Sequence, residues 1–395
     1  MRDYRLLLLA LVHWSVDCYV MFIPPLWLAL QHGFGMNPLQ TGIVIAFVQL
    51  PANLGQPLFG VLSDRFDARW FIVAGPALLI VGVGLVGLSA HLLLSVLLLF
   101  VASAGSGMFH PEGMTLANRF GARGSGRAMT LFLGFGFAGQ VCGPLWISRV
   151  ISEPAGRFQD TWHTIPQGVI FVAIGVVAIV GVSAHAMVSG RGRRQPLFTL
   201  LTGRHKPVWC LIAMSVLRWC CILILLYVLP NYLGEQKTLG RWMALYGGAQ
   251  GAGIILGGLT APRHRERLVL VASLAAVMLP LWILPFTSGA GTAVTLAAVG
   301  LLIAWSIPTT ISLGQAVVPG GERWISGMLV GFSWGIAAVI AGPLAGYLPN
   351  AFSTRVAFIT AAACGTASLL LALAMPMQET LDRLGKRVVE NSRTD

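Results

Sequence analysis

The chain has 395 residues, of which 56% are hydrophobic and only 10% charged, and its mean hydropathy is +0.78. A soluble domain carries roughly 25% charged residues, so this composition excludes a string of soluble domains and makes a bilayer the solvent for most of the apolar surface. The net charge of +12 does not point to nucleic acid, because the basic residues alternate with apolar stretches instead of forming one stripe.

A bilayer crossing needs about 20 apolar residues. That ruler predicts twelve helices, at 6–31, 38–62, 70–90, 92–118, 125–150, 166–188, 207–233, 239–261, 268–287, 290–317, 325–349 and 353–375. Gly and Pro inside them are compatible with membrane helices. No cleavage signal follows the first apolar stretch, so span one is expected to be retained. The connection at 189–206 has Arg191, Arg193 and Arg194 at one end and Arg204 and Lys206 at the other. Between them, Pro196 to Leu201 is apolar enough to lie on the membrane surface. The expected domains are therefore a six-helix bundle over 1–188, a basic linker over 189–206, a second bundle over 207–376 and a tail over 377–395.

Orientation follows from Lys and Arg in short loops. With the N-terminus in the cytoplasm, that side collects Arg65, Arg69, Arg119, Arg123, Arg127, Arg263, Arg265, Arg267, Arg323 and the linker and tail cations. The other side keeps Arg149, Arg157, Lys237, Arg241 and Arg355. Both termini are expected inside. An internal repeat supports two related halves: Met129, Gly136 and Gly143-Pro144 on span five return at the same spacing as Met328, Gly335 and Gly342-Pro343 on span eleven. Glycines permit close helix approach, Pro bends a helix, and halves related in this way place substrate between them near mid-membrane. The six cysteines fall inside spans without a Cys-x-x-Cys pair and read as small packing residues.

Three charged residues fall at membrane depth: Asp17 on span one, Glu112 on span four and Arg218 on span seven. A charge in hydrocarbon costs at least about 2.5–3.5 kcal/mol, so such residues face an aqueous cavity and mark a pathway. His13 and Asp17, at i and i+4, share a helix face. Burial disfavours a carboxylate and a nearby cation favours it, so a site that gains and loses a cationic neighbour can load and release a proton. Pro111 bends span four beside His110 and Glu112. Residues two apart point roughly opposite ways on a helix, so Glu112 is expected to face the cavity and His110 to make an interhelical bond. Arg218 needs an anion, either one of the acids or a substrate phosphonate, phosphate or carboxylate that its planar fork can hold. Trp14, Tyr19, Phe135, Trp219, Tyr227, Trp305, Phe332 and Trp334 are candidates for an aromatic wall, and Gln140, Thr309, Thr310 and Gln315 for polar contacts.

The connection after span two, Gly60-Val61-Leu62-Ser63-Asp64-Arg65-Phe66-Asp67-Ala68-Arg69, resembles the Gly-x-x-x-Asp-Arg-x-Gly-Arg-Arg loop of the major facilitator superfamily, with Asp67 where the family has Gly. An acid and several bases in a tight turn form ion pairs when one face is closed, which suits a gate built on Gly60, Asp64, Arg65 and Arg69. The equivalent loop of the second half places Pro262 where Asp64 would be, so it is not expected to act as the same switch. The Gly134-to-Pro144 segment is similar to the fifth-helix motif of proton-exchanging exporters in that superfamily, which implies a gating role for Gly143 and Pro144. His13, Asp17, Gln56-Pro57, Phe109-His110-Pro111-Glu112, Leu217-Arg218 and Pro308-Thr309 resemble the fosmidomycin-resistance-like branch.

The resemblance implies an all-α membrane fold of twelve helices in two pseudo-symmetric bundles. It also implies proton-driven efflux of a drug or metabolite by alternating access, from a bacterial inner membrane. Uptake of a siderophore or metal chelate is the alternative within that fold. A divalent metal-ion carrier using His13, Asp17, His110 and Glu112 is a third reading, since imidazole and carboxylate suit such ions. The expected partners are a small-molecule solute, protons and the bilayer, with the chain a monomer and no cofactor or bound metal. The phosphate loops, zinc helices and nucleophile elbows of common enzymes are missing, so no enzyme is expected.

Overall fold

The structure is a computed structural model that describes residues 3–65, 68–86, 89–120, 127–150, 206–233, 236–260, 265–318 and 322–376. Every regular element among the described residues is a helix. Six helical stretches there are long and apolar enough to cross a membrane: Leu92–Met114, Lys206–Pro230, Glu266–Phe286, Gly289–Val317, Ile325–Ala351 and Thr354–Ala374. Trp70–Val86 and Leu131–Ile147 are shorter apolar segments that match spans three and five. Large apolar side chains such as Leu93, Leu279 and Val294 point outward, where a soluble protein would place polar ones. The expected sixth span, the linker over 189–205 and the tail from 377 lie outside the described residues.

Spans one, two and eleven are interrupted, and local sequence features mark the breaks in spans one and two. Span one consists of Asp3–Val20 and Leu26–Phe34, separated by a turn over Met21–Pro25, since Pro24 and Pro25 remove two backbone donors. It stops at Gly35, whose φ of 64° is the left-handed conformation that closes a helix end. Span two begins with a capping box. The Gln40 amide donates to Asn37 Oδ1 at 2.8 Å, the Asn37 amide donates to Gln40 Oε1 at 3.0 Å, and Pro38 takes the first helical position. Pro51 precedes the break between Pro38–Asn53 and Gln56–Arg65. Span eleven contains a π turn, Met328–Phe332, between Glu322–Gly327 and Ser333–Ala351.

Span one lies along span five (Arg127–Val150), and span three (Ala68–Val86) along span four (Leu92–Phe120). In the second half, span seven (Lys206–Leu233) lies along spans eleven and twelve, and span eight (Gln236–Thr260) along span ten. The halves meet along two seams, span two with span eleven and span five with span eight.

Both seams are closed by glycines from the second half. On span eleven, a methyl group at Gly342 would meet the Gly42 carbonyl oxygen at 2.7 Å and Ala46 Cβ at 3.1 Å. Gly346 sits against the Pro38 backbone at one end of this seam, and Gly331 and Gly335 sit against Gln56 and Leu54 toward the other. On span eight, Gly251 receives Phe137, while Gly247 and Gly248 face Gln140 and Val141. The repeated glycines of span five turn elsewhere, with Gly136 against His13 and Gly143 against Cys18 of span one, and the unrepeated Gly139 between them against Trp14. The duplicated sequence is real, but its two copies serve different contacts: within a bundle in the first half, between bundles in the second.

Candidate functional site

Span one presents His13 and Asp17 on the same face, as their spacing predicts, and both are buried. His13 Nδ1 lies 2.7 Å from the Phe132 carbonyl oxygen of span five, and its ring stacks on Phe132 with centroids 3.9 Å apart. A carbonyl only accepts, so Nδ1 carries the hydrogen. His13 Nε2 then faces Asp17 Oδ2 at 3.5 Å. His110 repeats the pattern from span four. Its Nδ1 is 2.8 Å from the Ser106 carbonyl oxygen, one turn back, and its Nε2 is 3.1 Å from Asp17 Oδ1. Gln140 of span five donates from Nε2 to Asp17 Oδ2 at 2.9 Å. Gly136 leaves room for the cluster, since a methyl group there would meet His13 Cε1 at 2.5 Å and Asp17 Oδ2 at 2.8 Å.

On span four, His110 makes the interhelical bond expected of it, and the partner is Asp17 itself. Glu112, expected to face the cavity, accepts a hydrogen bond from Ser63 Oγ at 2.5 Å, at the far end of span two. The reason is helical geometry: turning His110 toward span one swings a residue two positions on to the other side. His13, Asp17 and His110 hold their ligand atoms within 4.8 Å of one another, three of the four groups in the metal-carrier reading, and Glu112 does not join them.

The second constellation is built on span seven. Arg218 is wholly buried, at 0% exposure. Its Nη1 donates to Thr310 Oγ1 at 2.7 Å and to Ser306 Oγ at 3.1 Å on span ten. Its Nε and Nη2 have no hydrogen-bond partner among the described residues. The guanidinium carbon lies 5.6 Å from the centroid of the Trp219 ring, within cation–π range. Among the described residues, neither Asp17 nor Glu112 forms an ion pair with Arg218, so its expected pairing with an acid is not seen there.

Other expected contacts divide. Thr310 joins Arg218, whereas Thr309 Oγ1 donates to the Ser306 carbonyl of its own helix at 2.9 Å. Gln315 donates from Nε2 to Ser326 Oγ at 2.9 Å and stands apart from the guanidinium site. Trp334 packs on Trp219 with centroids 4.4 Å apart, and its Nε1 has no partner among the described residues. Tyr19 is buried with its hydroxyl similarly unpartnered, and Trp14 presents its backbone carbonyl to Gly139. Ser306, absent from the expectations, is the second anchor of Arg218. Its position one turn before Thr310, on the same face, was the available signal.

Between the halves lies a small cavity of about 20 Å³, lined by Met21, Gln140, Pro144, Ile222, Leu226, Met243, Gly247, Gln250 and Trp334. That is room for a water or two. An organic solute enters only when the helices part. Pro144 lines the cavity, and Gly143 packs against Cys18 of span one. Gly60, Asp64 and Arg65 fall in the helix Gln56–Arg65 and Arg69 in Ala68–Val86, but their side chains lie outside the described residues.

Comparison with known proteins agrees with this architecture. The chain is 24% identical to the fosmidomycin resistance protein of Escherichia coli K12 over 356 residues, covering 85% of this chain and 84% of the relative. It is 23% identical to the MFS-type transporter YfnC of Bacillus subtilis 168 over 345 residues, with the same shares covered. In fold it is similar to the nucleoside transporter NupG, with a TM-score of 0.70 at 12% identity over 94% of this chain and 99% of that one. A bacterial homologue of the lysosomal transporter Spinster, in an inward-facing conformation, gives 0.69 at 15% identity over 98% and 97%. The family model of the Major Facilitator Superfamily matches residues 6–325. With its all-helical bundles, its glycine seams and a buried charged cluster within each half, the chain is a multi-pass membrane transporter, not an enzyme, and belongs to the major facilitator superfamily.

Proposed function

We propose that this chain is a proton-coupled exporter of a small anionic organic solute, working by alternating access in a bacterial inner membrane with both termini inside. One observation carries the coupling. Both imidazoles use Nδ1–H on a backbone carbonyl, so in their neutral forms both turn a bare Nε2 lone pair toward the Asp17 carboxylate. Lone pair against carboxylate at 3.1 Å is repulsive, and one added proton turns it into a charge-assisted hydrogen bond. The cluster is therefore built to hold an exchangeable proton, shared between Asp17 and the two rings. Gln140 bonds Asp17 and also lines the cavity between the halves, which links the proton site to the space where solute would pass.

Solute binding is assigned to Arg218. A buried guanidinium with two nitrogens unpartnered among the described residues carries a desolvation cost that an incoming phosphonate, phosphate or carboxylate would offset. Efflux is favoured over uptake by the relative whose name denotes fosmidomycin resistance. The experiment is transport in proteoliposomes with an imposed pH gradient, using fosmidomycin and a neutral analogue of similar shape. Gradient-driven movement of the anion, lost in Asp17→Asn, is the expected result. Movement that ignores the gradient would remove the proton from the mechanism.

A further inference from the structure

Trp219 makes two contacts that no substrate-binding role requires. Its ring faces the Arg218 guanidinium, 5.6 Å from centroid to carbon, and its Nε1 donates to the Leu329 carbonyl oxygen at 3.3 Å. Leu329 belongs to the π turn of span eleven. A π turn is an irregular element that leaves carbonyls needing outside donors and is frequent at functional sites. Trp219 supplies such a donor to Leu329, whereas the Met328 carbonyl oxygen accepts locally from both the backbone N–H of Ser333 and its Oγ, the latter at 2.7 Å. The same turn carries Gly331, against which the Gln56 side chain of span two is seated, so it forms part of the seam between the halves.

We propose that Trp219 is a positioning residue that couples the charge at Arg218 to the span two–span eleven seam through the π turn. With a free guanidinium, the cation holds the ring, the indole N–H holds Leu329, and the turn keeps Gly331 under Gln56. Neutralising the guanidinium removes the cation–π attraction, loosens the indole and lets the turn rewind toward α-helix. A one-residue change of register rotates the helix face by about 100°, which carries Gly331 out from under Gln56 and loosens the seam. The use of this relay in transport rests on the anion reading above. The mechanical coupling does not.

The test is hydrogen exchange on the purified full chain in nanodiscs, without ligand, following the backbone amides of 328–334. Trp219→Phe, which keeps a ring but loses the donor, should speed exchange there about five- to tenfold, the scale of one hydrogen bond. Arg218→Gln should speed it similarly, and the double variant no further than the larger single. Arg218→Lys, which keeps a cation over the ring, should stay within about twofold of the unmodified protein. Unchanged protection of 361–372 on span twelve would establish that the variants are folded. The relay is overturned if Arg218→Gln leaves the turn unaffected, if the two effects multiply, or if Arg218→Lys behaves like Arg218→Gln. Failure of anions to bind at Arg218 would overturn the solute assignment alone, because this cycle uses no anion.

Discussion

Two imidazoles that aim the same kind of atom at one carboxylate act as a single unit, and substitutions at the cluster should show it. Asp17→Asn keeps the size and cannot take part in proton exchange. The amide can still donate to His110 Nε2, so the fold should hold within about 1 kcal/mol while pH-driven transport falls at least tenfold. Thermal melting read beside proteoliposome flux checks both halves of that statement. For Arg218, the anion reading predicts that Arg218→Ala weakens an anionic ligand far more than its neutral analogue. Arg218→Lys should keep charge yet lose affinity, because the planar fork is gone. Equal losses for both ligands in a binding titration would leave Arg218 a purely structural residue. These predictions use residues that the sequence marked as lone charges in apolar spans. The partners were harder to read, because Phe132 and Ser106 contribute backbone carbonyls, which no residue type advertises.

At the scale of elements, the helices were legible because membrane-crossing length and apolarity are properties of one segment at a time. The boundary between spans nine and ten, expected near 287–290, falls between Phe286 and Gly289. The π turn was not legible, since the Leu329 carbonyl in it takes its side-chain donor from Trp219, which is brought there only by folding. The repeat of Gly136 and Gly335 predicted kinship of the halves, yet it could not say which neighbour each glycine faces. Gly136→Ala tests the first-half copy. Its methyl group would press on His13 and Asp17, and overpacking of this kind costs typically about 1–3 kcal/mol. Lower thermal stability and a disturbed proton dependence are expected together. Loss of one without the other would separate packing from coupling.

For the molecule as a whole, the cavity of about 20 Å³ where the halves meet is too small for an organic solute, so passage of one through it requires the halves to move apart there. Gly342→Leu would wedge the span two–span eleven seam and should shift the population away from the closed form, slowing turnover while leaving Arg218 and Asp17 in place. Distances between spectroscopic labels on the two bundles would register that shift. Asp64→Ala, at the loop that resembles the family's gate, should bias the same exchange without abolishing binding. Loss of binding with normal exchange would contradict a gating role.

The one-sidedness of the seams has a consequence for how such a protein can change. Because span eleven meets span two through glycines, whereas span two presents Ala46 and Leu54 as well as the backbone of Pro38 and Gly42, the two faces do not tolerate the same variation. Ala46, Leu54 and Val141 can trade one modest side chain for another and still find a flat partner, whereas Gly335, Gly342 and Gly346 have backbone or side chains pressed against them. A randomised library across both seams, selected for transport, should therefore recover varied residues at Ala46, Leu54 and Val141 and nearly invariant glycine from span eleven. New solute preferences would then be sought by varying the first half, with the second kept as the fixed template.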